Sequence, residues 1–109
     1  MAYDEELADR VLTALAGRDG ITERKMFGGV GFMLNGNMCC GVHGPNLIVR
    51  LGPEDGDRAL DEPHTRPFDL TGRPMTGWVF VGAGGTRSDE GLAAWVDRAV
   101  SYVSALPPK

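Results

Sequence analysis

Apolar residues recur at helical spacing near both ends of the chain. Asp4 and Ser88 are suitable N-caps for these two segments, because a short polar side chain accepts a hydrogen bond from the first turn of a helix. The apolar positions of the first segment are Leu7, Val11, Leu12 and Leu15. Those of the last segment are Leu92, Trp95, Val96, Ala99, Val100 and Val103. Two amphipathic helices are therefore predicted, each with one face to bury.

Between these helices the apolar period changes to two residues, which is typical of β-strands. Residues 30–34 alternate in this way, and 38–43 and 47–51 are predicted as the next two strands. Asn-Gly within 35–37 is a strong signal for a tight hairpin turn, and Gly-Pro-Asn at 44–46 marks another turn. Strands joined by such short turns pair antiparallel.

The remaining segments complete a single predicted domain covering the whole chain, residues 1–109. They are a short extended piece at 24–27, a weak helix at 53–61, a brief extended piece around Phe68 and a strand at 78–81. Gly56 is expected to interrupt the weak helix. The fold class is therefore α+β: a two-layer sandwich in which helices pack on an antiparallel β-meander. The predicted element order is α-β-β-β-α-β-α, with an optional extra edge strand.

Charge and hydropathy narrow the environment and the partners. The chain has 11 Lys and Arg against 15 Asp and Glu, a net charge of −4, whereas a nucleic-acid-binding protein needs clustered basic residues. The acidic N-terminal residues do not resemble a signal peptide, and no apolar stretch approaches the roughly 20 residues that span a bilayer. We therefore expect a cytoplasmic protein without autonomous DNA binding and without a membrane partner.

Cys39 and Cys40, with His43 nearby and His64 further along, form the grouping closest to a metal site. Residues along a strand alternate faces, so the two cysteines are expected on opposite faces, with Cys40 in the core. His43 would share a face with Cys39 but lie ~13 Å along the strand, too far to bind the same ion. The sequence therefore predicts no metal site and no cofactor.

Two further groupings lack the spacing that ligand sites require. The glycine-rich segment 82–86 has Arg87 where the dinucleotide fingerprint needs its last glycine, and no Gly-Lys-Ser/Thr follows, so a flexible connection is predicted. An acidic cluster without EF-hand spacing is predicted to be a solvated face; its members are Glu54, Asp55, Asp57, Asp61 and Glu62. No serine lies in a nucleophile-elbow context, so no catalytic residues are predicted.

Arg24, Lys25 and Arg50 are the charged residues that lie in or beside the predicted meander. They belong either to the solvent-facing side of the sheet or to a small basic edge that binds an acidic partner.

The central motif of the chain resembles that of a known family. Residues 24–38 read RKMFGGVGFMLNGNM, and further landmarks are 47–51, Pro67, Phe68, Gly72, Met75 and Trp78. Over about residues 3–106 the chain resembles the N-terminal domain of the TfoX (Sxy) family. This resemblance implies a two-layer sandwich and kinship with regulators of natural competence, which act with a cyclic-AMP receptor protein at promoters. Those regulators carry a second, C-terminal domain, whereas this chain is expected to be a stand-alone N-terminal domain. The resemblance to this family domain implies no catalytic residues.

The resemblance and the lack of a catalytic grouping predict a non-enzymatic protein-interaction module, with a transcription co-regulator as its most specific form. A protein partner is expected, and a transcription factor is the first class to consider. The alternative is a small-molecule-binding protein or an unrecognised enzyme with a pocket between the sheet and the helices. Self-association into a homodimer through a strand edge is a third possibility.

Overall fold

A computed structural model gives the architecture of the chain over residues 3–26, 28–69 and 75–108. The helices of these described residues are α1 (Glu5–Leu15), α2 (Pro53–Ala59), α3 (Ala83–Thr86) and α4 (Asp89–Val103). The strands are β1 (Ile21–Met26), β2 (Gly29–Leu34), β3 (Asn37–His43), β4 (Asn46–Arg50), β5 (Thr65–Pro67) and β6 (Trp78–Val81). Phe27 and Gly72, which carry part of the sequence motif, lie outside the described residues.

The six strands form one antiparallel sheet in the order β1-β2-β3-β4-β6-β5. The first four are consecutive neighbours, as expected for a meander, while β6 pairs with β4 and β5 lies at the far edge. The α+β class and the order of elements are thus confirmed. The extended pieces predicted at 24–27 and around Phe68 correspond to the two edge strands, β1 and β5. One helical turn, α3, forms where a flexible connection was predicted.

The main hydrophobic core lies between the sheet and helices α1 and α4. Phe32 of β2, Val49 of β4 and Val96 of α4 have no exposed surface there. Apolar burial of this kind contributes about 1.5–3 kcal/mol for each large side chain. A smaller cluster lies on the opposite face of the sheet and contains no described helix residue; it comprises Ile48, Phe68 and Phe80, with Met38 and Trp78 packed against it. We call this second side the open face of the sheet.

The helix termini follow the predicted capping. The Asp4 carboxylate accepts a hydrogen bond from the Leu7 amide at 3.1 Å, and the Ser88 hydroxyl accepts one from the Gly91 amide at 3.0 Å. Leu12, predicted on the buried face of α1, is instead 42% exposed, because it lies beyond the stripe that contacts the core. The longest described helix is α4, with 15 residues, and none in the described ranges has the length and apolar character to cross a bilayer.

The sequence predicted that Gly56 interrupts the helix at 53–61. This prediction is wrong, because Gly56 lies inside α2. A Cβ atom at Gly56 would lie 2.7 Å from the Gly77 Cα atom, in the turn before β6. Gly77 has φ +90°, and a Cβ there would lie 3.0 Å from the carbonyl carbon of Gly52. The glycines therefore let the start of α2 and the turn before β6 approach to backbone contact.

Candidate functional site: the open face of the sheet

One row of residues crosses the open face from one edge of the sheet to the other. In order of pairing it consists of Arg24, Gly31, Gly41, Ile48, Phe80 and Arg66. Residues paired directly across an antiparallel sheet point to the same face, so Arg24 and Arg66 are the two ends of this row. Five inter-strand spacings separate them, which amounts to ~24 Å between their Cα atoms.

Arg50 lies on the same face at the end of β4, where its guanidinium group contacts one ring of the sheet and one ring of α4. Arg50 pairs with Trp78 in the register, and its guanidinium carbon lies 5.2 Å from the Trp78 ring centre and 5.9 Å from that of Tyr102. The corresponding carbon of Arg66 lies 5.2 Å from the ring centre of Phe80. Such cation–π contacts fix a guanidinium group while leaving its N–H donors at its edge.

The rings beneath these arginines are packed against one another. The ring centres of Phe68 and Phe80 are 5.0 Å apart in an edge-to-face arrangement, and those of Phe68 and Trp78 are 5.8 Å apart. Phe80 is 5% exposed and Phe68 is 8% exposed. This cluster is therefore a packed support for the arginine side chains, since aromatic pairs in these geometries stabilise one another.

The charged residues of the strands differ between the two faces of the sheet. The described strands carry five charged residues: Glu23, Arg24, Lys25, Arg50 and Arg66. Glu23 pairs with Phe32 and Lys25 with Val30, so both belong to the helix-covered side. Every charged strand residue of the open face is consequently an arginine.

Most arginines of the helical side have carboxylate partners, whereas Arg87 and the arginines of the open face form no ion pair within the described residues. The closest ion pairs on the helical side are Arg10–Asp89 at 3.1 Å, Arg18–Asp97 at 2.8 Å and Arg98–Glu62 at 2.9 Å. Arg24, Arg50 and Arg66 form no ion pair with any carboxylate of the described residues. The open face is thus a local positive surface on a chain whose net charge is −4, and such a surface attracts anionic groups.

The three basic residues singled out in the sequence do not form one patch. Arg24 and Arg50 share the open face, three strands apart, whereas Lys25 lies on the other side of the sheet because neighbouring strand residues alternate. Sequence reasoning did not single out Arg66, which lies beside the extended piece predicted around Phe68. The signal that could have found it is the two-residue period that puts Arg66 and Phe68 on one side of a short strand.

The prediction that Cys39 and Cys40 point to opposite faces is wrong, since both lie in the main core with no exposed surface. Phe32 pairs with Cys40 but the next residue, Met33, pairs with Met38, so Cys39 is an extra residue in β3. This β-bulge breaks the alternation of faces. The hydrogen bond with Cys39 and burial raise the pKa of the Cys40 thiol, whereas the same hydrogen bond lowers the pKa of Cys39.

The histidines lie away from the cysteines. His43 lies on the open face, with its ring centre 6.2 Å from that of Phe80. The prediction that His43 shares a face with Cys39 is therefore wrong. The His64 carbonyl accepts a hydrogen bond from the Gly82 amide at 2.7 Å, beside α3. Within residues 3–26, 28–69 and 75–108 no three His, Cys, Asp or Glu side chains are grouped so that they could bind one metal ion.

Two depressions of the described residues lie at the junction of α2 and α4. The larger has a volume of about 410 Å³ and is lined by Asp55, Asp97, Arg98, Ser101 and Tyr102. The other, of about 310 Å³, lies between the start of α2 and Tyr102. Both are bordered by carboxylates, and the acidic cluster predicted to be solvated is exposed throughout.

Comparison with known proteins identifies the domain. The family model of the TfoX N-terminal domain matches residues 13–103 of the 109 residues. This segment includes the whole sheet and α4, and therefore the complete open face. No curated protein and no solved structure gives a match. Because the family model covers most of the sequence, the chain belongs to the TfoX N-terminal domain family.

Proposed function

We propose that this domain is a non-enzymatic protein-interaction module that binds its partner through the open face of the sheet. The observation that carries the proposal is the set of three arginines on this face, which have no carboxylate partner among the described residues. Two of them are held in place by packed aromatic rings. Membership of the TfoX family supports a role in transcription control, so a transcription factor is the first partner to consider.

The residue types of the open face suit protein binding. Arginine and tryptophan are enriched among the residues that dominate binding energy at protein interfaces, and both occur here. Met33 and Met38 lie half-buried on the same face. Methionine side chains are flexible and polarizable, so they adapt to an apolar partner surface.

Binding is expected to depend on the open-face arginines and not on charge in general. An immobilised Arg24→Ala/Arg50→Ala double variant should retain about tenfold less of a specific partner than the wild-type domain, because truncation removes charge-assisted hydrogen bonds. The matched control is Arg58→Ala/Arg87→Ala, which makes the same charge change at exposed positions outside the sheet. Quantitative mass spectrometry of proteins retained from a lysate, at equal amounts of folded domain, measures the difference. A lysate in which no retained protein distinguishes the two double variants would contradict the proposal.

A further inference from the structure

We infer that the open face binds an acidic segment of its protein partner, in which carboxylates flank apolar side chains and reach from Arg24 to Arg66. This inference rests on the proposed function and specifies the chemistry of the partner. It follows from the shape of the row that crosses the face, from the spacing of the arginines and from the charge of the surrounding surface.

Backbone forms the floor of the row at its middle, and both residues there are buried. Gly31 and Gly41 pair with each other and contribute no side chains, and they lie between Arg24 on one side and Ile48 on the other. The Met38 methyl group covers part of this floor, since a Cβ atom at Gly41 would lie 3.1 Å from it. The half-buried side chains of Met33 and Met38 provide the apolar surface that a side chain of the partner would contact beside this floor.

The arginines set the length and the charge pattern of the segment. Arg24 and Arg66 are ~24 Å apart, which a helix of about 16 residues or an extended segment of about 7 residues spans. Arg50 lies between these ends along the sheet. Carboxylates at both ends and near the middle of the segment would each meet a guanidinium group, and pairs of this kind form two parallel hydrogen bonds.

The same face is poorly suited to a nucleic acid, the other common polyanion. Single-stranded binding relies on aromatic rings whose faces stack on bases, whereas Phe68 and Phe80 are 8% and 5% exposed. Trp78 has Phe68 and Arg50 as neighbours and is half-buried. The net charge of −4 also repels a long phosphate backbone, whereas a short acidic segment experiences mainly the local arginines.

Selection from a random peptide library tests the inference without knowledge of the natural partner. A phage library of 16-residue random peptides is selected on the wild-type domain, and the enriched peptides are synthesised with a fluorescent label. We expect enriched sequences with a negative net charge and interspersed apolar residues. By fluorescence anisotropy their affinity should fall about tenfold in an Arg24→Gln/Arg66→Gln variant. It should change less than twofold in the control Arg58→Gln/Arg87→Gln, and it should weaken as salt rises, since exposed charges are screened.

Two further binding measurements, one with a Met33 variant and one with a single-stranded DNA, separate failure of this inference from failure of the proposed function. Met33→Glu places a carboxylate on the open face without removing an arginine, so it opposes an acidic peptide bound there. Thermal unfolding of each variant shows that it remains folded. One outcome is a set of peptides that lose affinity in the Met33 variant and yet are neutral, or that bind the Arg24→Gln/Arg66→Gln variant as tightly as the wild-type domain. Such peptides overturn the inference that the partner segment is acidic, but they support the open face as the binding surface. Peptides whose binding is unaffected by Met33→Glu, or no enrichment at all, overturn both this inference and the proposed function. Binding of a labelled 16-nucleotide single-stranded DNA that displaces the peptides and needs the same arginines would overturn the assignment to a protein partner.

Discussion

Replacing Phe32 with alanine is expected to lower the free energy of unfolding by about 3–5 kcal/mol. Phe32 lies in β2 beneath α1 and α4, with no exposed surface, and the truncated side chain would leave a cavity in the main core. A domain of this size has a total stability of about 5–15 kcal/mol, so this one substitution removes a large share of it. Urea denaturation followed by circular dichroism measures the change.

The adjacent residue provides the matched control for Phe32→Ala. Met33 follows on the same strand but lies half-buried on the open face, opposite Thr22 and Met38. Met33→Ala is expected to cost about 1 kcal/mol or less, because little packing is lost. Equal costs at the two positions would show that the open face is packed as tightly as the main core, and the assignment of the two faces would fail.

Replacing Gly77 with alanine is expected to lower the free energy of unfolding by about 2–5 kcal/mol. The left-handed backbone at φ +90° costs an L-residue about 1–2 kcal/mol. The new Cβ would also lie 3.0 Å from the carbonyl carbon of Gly52 and 3.2 Å from the nitrogen of Pro53. Both neighbours are backbone atoms, so relief requires α2 to shift, at a further cost of about 1–3 kcal/mol.

Gly17 separates these two costs, because it shares the backbone conformation without the close contact. Its φ is +87°, and no atom lies within 4 Å of a Cβ built there. Gly17→Ala should therefore show the backbone cost alone, about 1–2 kcal/mol, in the same denaturation experiment. If the two alanine variants lose the same free energy of unfolding, the close contact between α2 and the turn before β6 adds nothing to the cost of Gly77→Ala.

The elements predicted correctly from sequence are those that local rules determine. The period of apolar residues gave both long helices, and short polar side chains marked their starts at Asp4 and Ser88. The tight turn between β2 and β3 was also predictable, since Asn35 and Gly36 both adopt positive φ, as Asn-Gly turns require. Each of these features depends on a few neighbouring residues.

What the sequence did not reveal depends on contacts between distant segments. A single extra residue in β3 brings Cys39 into the core, and no local signal marks a bulge that depends on the register with β2. From the sequence, Gly56 is predicted to break a helix. Its actual role depends on a contact with Gly77, which lies 21 residues later in the chain. The candidate site was predicted only in part for the same reason. Arg24 and Arg50 were identified from the sequence, but their position on one face with Arg66 depends on the pairing of the strands in the folded sheet.

Site-specific photo-crosslinking tests the central claim most directly, namely that the partner binds the open face. The photoreactive amino acid p-benzoylphenylalanine is placed either at Met33, on the open face, or at Leu12, which is 42% exposed on α1. Both positions replace a large apolar side chain, and they lie on opposite sides of the molecule. We predict that irradiation joins the partner to the domain from position 33 and not from position 12. A crosslink from position 12 without one from position 33 would contradict the account.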